Sequence, residues 1–239
     1  MKKMMIVLLV PVFGFFQSDA QTVDEIVQKW TVAMGGAEKL ASIQSIYLEN
    51  ELNIMNNEAP GVTYILNGKG CKTETDFNGQ KIIDCYALNN GWNVNPLAGQ
   101  PEAKQMPEAQ IKWGQLRLEA AGPLFNYAAK KSVVELMGKE DVNGVQAYKV
   151  KLTTASGMKD IFFLDPHSFY ILKESSTMNV NGQELEITNL FSDYRKTDNG
   201  YIMPYSTAVT LPGLSIAMTT KKIEVNRSID PVIFDMPKK

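Results

Sequence analysis

Hydrophobic and polar residues alternate along much of the chain, which predicts β-strands. In residues 45–54, Ile46 and Leu48 fall on one side of an extended backbone, while Tyr47 and Glu49 fall on the other. A period of two over such a stretch is the pattern of a strand with one buried and one exposed face. We therefore predict one long, half-exposed strand at the start of the β-rich region.

Residues 159–175 show a different pattern, because the two strands predicted there are apolar at every position. Residues 161–164 and 169–172 place apolar or aromatic side chains on both faces, as expected for strands that are buried on both sides. Between them, Asp165 and Pro166 suit the first two positions of a type I turn. We predict a buried hairpin and take it as the element around which the sheet is organised.

Further strands are separated by short turn sequences rich in Gly, Asn, Asp and Pro. Connections this short join antiparallel neighbours. With the hairpin, the predicted strands number roughly eleven in sequential order, and a twisted sheet of that size must curl or close. The further strands are predicted at residues 62–67, 71–77, 81–88, 92–94, 133–136, 147–152, 185–194, 201–209 and 214–225.

Two regions follow a helical period instead. Thr22 and Glu25 have the spacing of a capping box, and the apolar stripe that follows includes Trp30, which we expect to lie in the core. A short helix is predicted at residues 37–41. Residues 95–106 are rich in Pro, Gly, Ala and Gln and predict a loop before the second helical region.

The second helical region is predicted at residues 107–120, opened by Pro107. On a helical wheel its apolar residues form two seams, Ile111 with Leu118 and Trp113 with Leu116. A helix that rests on a single sheet needs only one seam. Two interpretations remain open at this stage: a helix wedged between the core and a loop, or a lid over a cavity.

The two cysteines, Cys71 and Cys85, lie on adjacent predicted strands joined by a tight turn. A type I turn at residues 77–78 with Gly79 in a bulge places them directly opposite each other, within reach of a disulfide. A two-residue turn at residues 78–79 shifts the register by one and separates them. We predict the disulfide, because two cysteines with one distant histidine do not complete a usual zinc site.

The first 20 residues have the order of a secretory signal: Lys2 and Lys3, an apolar run, and a small-residue exit at residues 18–20. We expect cleavage before Gln21, with residues 21–239 forming a single domain. No cysteine lies near the cleavage point, so we expect no N-terminal lipid anchor. No later stretch approaches the roughly 20 apolar residues that a membrane-spanning helix needs, so we expect no stable membrane insertion.

The composition argues against several classes of function. The formal net charge is −2, which gives no bulk attraction to nucleic acid or anionic membranes. The only histidine, His167, lies in a predicted surface turn, so a serine or cysteine nucleophile would lack its base. No phosphate-binding loop, dinucleotide fingerprint or metal-spaced cluster is present. We therefore predict a protein without a catalytic site, metal or cofactor.

Four stretches resemble one protein family: GWNVNP from Gly91, FFLDPHSFYILKE from Phe162, SDYRKTDNGYIMPYSTAV from Ser192, and KKIEVNRSIDPVIF from Lys221. Together they are similar to the outer-membrane lipoprotein-sorting proteins of the LolA/LolB type, in the form seen in Bacteroidetes. The resemblance implies a mainly β fold with a helical lid: an unclosed antiparallel half-barrel of about eleven strands. Helices would cover its concave face and enclose a hydrophobic cavity for acyl chains.

On this resemblance we expect a periplasmic carrier that shields the acyl chains of lipoproteins or lipids on the way to the outer membrane. Its partners would be an inner-membrane donor and an outer-membrane acceptor, and not nucleic acid. The alternative is a non-catalytic envelope interaction module whose cavity is filled by its own side chains. The candidate lipid-binding residues are Ile46, Leu48, Trp92, Ile111, Trp113, Leu116, Leu118 and Phe163.

Overall fold

The computed structural model describes residues 21–180 and 182–238, so the predicted signal sequence at residues 1–20 lies outside the described residues. The helices are α1 (Val23–Ala33), α2 (Ala37–Ala41) and α3 (Glu108–Gly114). The strands are β1 (Ser45–Ile54), β2 (Asn57–Leu66), β3 (Gly70–Phe77), β4 (Gln80–Ala87), β5 (Asn90–Asn95), β6 (Gln100–Gln105), β7 (Val133–Val142), β8 (Val145–Thr153), β9 (Lys159–Leu164), β10 (Ile171–Val180), β11 (Gln183–Lys196), β12 (Ile202–Leu211) and β13 (Leu214–Val225). Short 3₁₀ segments lie at Pro96–Ala98, Gln115–Leu118 and Pro231–Phe234.

The strands form one antiparallel sheet in the order β6-β5-β4-β3-β2-β1-β13-β12-β11-β10-β9-β8-β7. Each half of the chain is a meander, and the two meanders join where the first strand pairs with the last, Ile46 opposite Val225. The outer strands β6 and β7 are not paired with each other, so the sheet is unclosed. This confirms the predicted fold class of an open half-barrel.

Three details of the sheet differ from the prediction. The hairpin β9–β10 is internal, as expected, but the centre of the sheet is the β1–β13 pair. The sequence pattern did not predict this pair, because the two strands are far apart along the chain. The described residues contain 13 strands rather than about eleven. Residues 100–105, predicted as a loop, form the edge strand β6, where Pro101 is tolerated because an edge has a side without hydrogen-bonding partners.

The predicted disulfide is wrong, because the turn between β3 and β4 has two residues. Asn78 and Gly79 both have positive φ, 53° and 78°, as a type I′ turn requires. Gln80 therefore pairs with Phe77, whereas the bulged turn would have paired it with Asp76. The register of β3 against β4 moves by one residue as a result.

As a result, Cys71 lies opposite Tyr86, while Cys85 lies opposite Lys72. Neighbouring rows of an antiparallel ladder point to opposite faces of the sheet, so the two sulfurs lie on different sides. Both cysteines are free and buried.

The first helix begins as predicted. The Thr22 hydroxyl accepts a hydrogen bond from the Glu25 backbone N–H, and the Glu25 carboxylate accepts one from the Thr22 backbone N–H. Ile26, Val27 and Trp30 on its inner face are buried against the sheet. Trp30 therefore lies in the core, as expected.

The second helical region is shorter than predicted. The α-helix α3 ends at Gly114 and continues as the 3₁₀ turn Gln115–Leu118. The change of period from 3.6 to 3 residues per turn rotates the later side chains. Ile111 and Leu118 pack in the same cluster, as their predicted seam requires. Trp113 packs in that cluster too, while Leu116 packs against a different one, so the predicted seam of Trp113 with Leu116 is wrong.

Candidate functional site: the concave face of the sheet

The concave face is the side of the sheet that carries Ile46 and the helices. Residues that are paired across neighbouring strands point to the same face of a sheet. Ile46 is paired with Ile65 on one side and with Val225 on the other, so all three belong to this face. Two clusters fill this side. One holds α1, α2 and the strands around β8 and β9, and the other holds α3 and the strands around β3 and β4.

We call α3 and the following 3₁₀ turn, residues 108–118, the lid. The lid contacts β4 and β5 from one half of the sheet and β10 from the other, so it crosses the open side of the half-barrel. Its anchor is Trp113, which is 8% exposed and whose indole N–H donates to the Ser176 hydroxyl at 3.3 Å. The Trp113 ring also meets the Tyr86 ring edge to face, with centroids 6.1 Å apart.

A glycine allows this close seating. A Cβ added at Gly114 would lie 1.9 Å from Cδ1 of Tyr86, far inside van der Waals contact. The Arg117 guanidinium lies 4.2 Å from the centre of the Trp113 ring. The lid is therefore held by one buried indole, one close backbone contact and one stacked cation.

Beyond the lid, the concave face continues as a surface that we call the apolar strip. It crosses β10, β11, β12, β13 and β1 near their hairpin ends, and its side chains are half-buried. Three of them, Met178, Val209 and Leu211, pack against the cluster of the lid, and the others belong to no buried cluster. The strip consists of Leu52, Ile54, Met178, Leu185, Val209, Leu211, Leu214, Ile216 and Met218.

The opposite face of the same strands is exposed and small or polar. In β13, Ser215, Ala217 and Thr219 are exposed, while the intervening Ile216 and Met218 are half-buried. Sequence reasoning did not propose the strip, although the alternation over residues 214–219 was a signal for it. The sequence does not tell which side of that alternation faces inwards.

Six of the eight predicted lipid-binding residues lie on the concave side. Ile111, Trp113 and Leu118 form part of the buried cluster of the lid. Three more belong to or pack against the cluster of α1: Ile46, Leu48 and Leu116. All six lie in the covered part of the face, and none lies in the apolar strip.

The other two predicted residues, Trp92 and Phe163, lie on the convex face. Trp92 is buried beside Cys85 and Phe234, and its indole N–H donates to the Phe234 carbonyl at 2.9 Å. Phe163 packs in a separate convex cluster, with Lys173 4.5 Å from its ring centre. These two candidates therefore lie on the face opposite the lid, because strands that are apolar on both faces do not reveal which face is concave.

Solved structures share this architecture. An outer membrane lipoprotein-sorting protein domain from Vibrio parahaemolyticus matches with a TM-score of 0.55 at 18% identity, over 88% of this chain and 95% of that one. A LolA superfamily protein from Nitrosomonas europaea matches with a TM-score of 0.55 at 13% identity, over 90% and 98%. The chain therefore has the same fold as these two proteins.

A DUF1329 family protein from Desulfovibrio piger also has this fold, with a TM-score of 0.53 at 15% identity over 87% of this chain and 95% of that one. No protein-family model matches the sequence, and no curated protein matches it. The likeness to LolA-like proteins therefore concerns the fold.

Three acidic residues lie on the concave face within the electrostatic reach of Arg117. Burial raises the pKa of Asp84, Asp160 and Glu174, and Arg117 opposes the shift in each case. Asp160 is 3% exposed. The side chain of Glu174 accepts a hydrogen bond from Asn189 at 3.2 Å. The concave interior of this protein therefore contains ionisable groups and is not uniformly apolar.

A pocket of about 220 Å³ lies beside the C-terminal end of the lid. One of its walls carries an ion pair between Lys130 and Glu119, at 3.1 Å. Its size is below the roughly 300–1,000 Å³ of usual small-molecule sites. Its lining is mixed in polarity: Gln115, Leu116, Glu119, Pro123, Lys130, Ser132, Thr154, Ala155, Ser156 and Met158.

Over residues 21–180 and 182–238, no helix has the length and apolar character needed to cross a membrane. Within the same part of the chain, no group of three or more His, Cys, Asp or Glu side chains is arranged to hold a metal ion.

Proposed function

We propose that this protein is a non-enzymatic carrier of acyl chains, which it binds on the concave face along the apolar strip and beneath the lid. The observation that carries the proposal is the strip itself. It is a continuous row of half-buried apolar side chains on a face whose other part is covered by helices. Large bare apolar surfaces are unusual on soluble proteins and mark binding sites.

The dimensions of the strip suit one acyl chain. It crosses five adjacent strands, from β10 to β1. Strands lie about 4.8 Å apart, so the strip is roughly 20 Å long. One leaflet of a bilayer has a hydrocarbon depth of about 15 Å, half of the roughly 30 Å core.

Apolar burial alone gives a useful affinity. At about 0.8 kcal/mol per methylene, ten buried methylenes contribute about 8 kcal/mol before the cost of ordering the chain. Without that cost, about 8 kcal/mol would correspond to a dissociation constant of about 1 μM, so the actual binding is weaker than this. Such a carrier holds its ligand and still releases it to a stronger acceptor.

The predicted export signal supports a periplasmic location for this activity. The Vibrio parahaemolyticus relative is described as an outer membrane lipoprotein-sorting domain. By analogy, the acyl chains would belong to lipoproteins or lipids in transit, received from an inner-membrane donor and passed to an outer-membrane acceptor.

The test uses two neighbouring residues of β13 that point to opposite faces. Ile216→Glu places a carboxylate in the apolar strip, while Ala217→Glu places the same group on the exposed convex face. We expect Ile216→Glu to weaken binding of a fluorescent fatty acid at least about tenfold, because burying an unpaired carboxylate against an acyl chain is unfavourable. Ala217→Glu should bind as the natural protein does. Equal affinities for all three proteins would reject the strip as the binding site.

A second candidate function is a non-catalytic interaction module whose concave side is filled by its own side chains. The packing under the lid favours it, because Trp113 and Leu118 occupy that space with exposures of 8% and 3%. Native mass spectrometry of protein purified from its own envelope separates the two. Bound lipid supports the carrier, whereas ligand-free protein that also fails to take up fatty acid supports the interaction module.

A further inference from the structure

Two carboxyl groups lie side by side beneath the lid. Asp160 on β9 and Glu174 on β10 are diagonal neighbours on the concave face, because Asp160 is paired with Ser176, two residues along β10 from Glu174. Their side chains interact. Two neighbouring carboxyl groups share a hydrogen bond only when one of them carries a proton. Asn189 donates to Glu174 at 3.2 Å, which favours the ionised form of Glu174 and leaves the proton on Asp160.

The pair lies next to the residue that anchors the lid. Ser176, which receives the indole N–H of Trp113, is the residue paired directly with Asp160 across the two strands. Asp160 and Ser176 are 3% and 6% exposed, so a charge on Asp160 has little access to water while the lid is seated. Displacing the lid would hydrate both carboxyl groups.

The charged groups that face the pair act in opposite directions. Arg117 of the lid lowers the pKa of Asp160, while burial and the neighbouring Glu174 raise it. The net effect raises the pKa of Asp160 to about 7, so burial and repulsion outweigh the attraction of Arg117. Asp84 on β4 is a third carboxyl near Arg117, and Tyr194 on β11 is a further titratable group that interacts with Glu174.

We propose that Asp160 and Glu174 form a proton-sharing latch, which keeps the lid seated while one carboxyl is protonated and loosens it when both are ionised. This concerns the regulation of the concave site and rests on the proposed carrier function for its biological purpose. The physical claim concerns the lid alone and can be measured without lipid.

The sign of the effect follows from linkage. Asp160 binds its proton more tightly with the lid seated than in water, so the seated state is favoured at low pH. That advantage is lost as the pH rises from the ordinary carboxyl range through about 7, and no further change is expected above it. The lid should therefore open more readily at pH 8.5 than at pH 5.5.

The experiment is amide hydrogen exchange of the ligand-free mature protein at pH 5.5 and 8.5, with rates corrected for intrinsic exchange. We expect protection of residues 108–118 to fall about tenfold or more with rising pH, since one unit of pKa coupling equals a tenfold change. Helix α1 is the internal reference and should keep its protection. Unchanged protection of the lid, or protection that increases with pH, would overturn the proposal.

The variants assign the effect to the pair. Asp160→Asn keeps a donor to Glu174 but cannot ionise, so the lid should stay protected at both pH values. Asp84→Asn is the matched control, and it should keep the pH dependence of the natural protein. If Asp160→Asn does not fold, Glu174→Gln tests the same point, because removing its charge should reduce the pH response.

If the variant that folds, Asp160→Asn or Glu174→Gln, keeps the full pH dependence of lid protection, the latch is refuted. Fatty-acid binding measured separately at pH 5.5 tests the carrier function. Failure of one proposal is therefore distinguishable from failure of the other.

Discussion

The lid-covered part of the concave face and the apolar strip meet on β10 and β11 and follow the same alternation there, yet they differ in exposure. Ser176 and Ile187 form a directly paired row under the lid, and both are buried. The next row on the same face, Met178 with Leu185, is also directly paired. Its members are only half-buried. One step along the strands separates a filled interior from an open apolar surface.

This difference separates stability from binding. The covered rows have lost their contact with water inside the protein itself, so their apolar side chains already stabilise the fold. The side chains of the strip are still partly in contact with water, so a ligand that covers them would gain from their burial. Substitutions in the two regions should therefore affect different measurements.

The largest effect is expected at the lid anchor. Trp113→Glu removes a buried indole and places a carboxylate near Asp160 and Glu174, so we expect the free energy of unfolding to fall by about 3–5 kcal/mol. Chemical denaturation measures this. Lys112→Glu is the matched control, because Lys112 is exposed on the same helix. A Trp113→Glu protein of unchanged stability would show that the lid does not belong to the cooperative core.

A smaller loss is expected at the contact between the lid and Tyr86. Gly114→Ala pushes a methyl group into the Tyr86 ring, and overpacking of this kind costs about 1–3 kcal/mol. Tyr86→Leu in the same protein should recover part of that loss by removing the ring edge. A double-mutant cycle measures the coupling, and additive losses would show that the two groups do not press on each other.

The sequence predicted the class of fold but not the position of the covered region. Alternation over residues 45–54 and the turn chemistry between strands are local signals, and both led to antiparallel strands in sequential order. The pairing of β1 with β13 joins residues about 170 positions apart, Asn50 with Thr220 among them. No local pattern encodes such a pairing.

The errors at the candidate site have local physical causes. In Phe162 and Phe163 the alternation is lost because both faces are buried, so the sequence does not distinguish the concave from the convex side. At Leu116 the helix had already tightened into a 3₁₀ turn, which moved that side chain away from Trp113 and into contact with the other cluster. At Asn78 a positive φ decided the turn, and one residue of register separated the cysteines.

In the apolar strip, truncation should cost little stability. Leu52 is half-buried, so we expect Leu52→Ala to lower the free energy of unfolding by about 1 kcal/mol or less. Leu118→Ala, made in the covered region, should lower it by about 2–5 kcal/mol. Paired urea titrations give both values. Equal losses would contradict the division of the concave face into a filled and an open part.

The smallest effect is expected for reduction, which should leave the unfolding temperature unchanged. Cys71 lies on the concave side in the cluster of the lid, whereas Cys85 lies on the convex side beside Phe234. Burial raises the pKa of the Cys71 thiol to about 11 and that of Cys85 to about 12, so both thiols should react slowly in the native protein. Unfolding without reductant should expose two titratable thiols.

The same thiols also report on the two faces separately. Trp113→Glu should speed the labelling of Cys71, because the lid covers that side, and leave Cys85 slow, since Phe234 of the C-terminal segment covers the other side. A drop in unfolding temperature on adding reductant would instead mean that the sulfurs are joined. Equal acceleration at both cysteines would mean that the variant opens the whole sheet, and the lid would then not be an independently moving part.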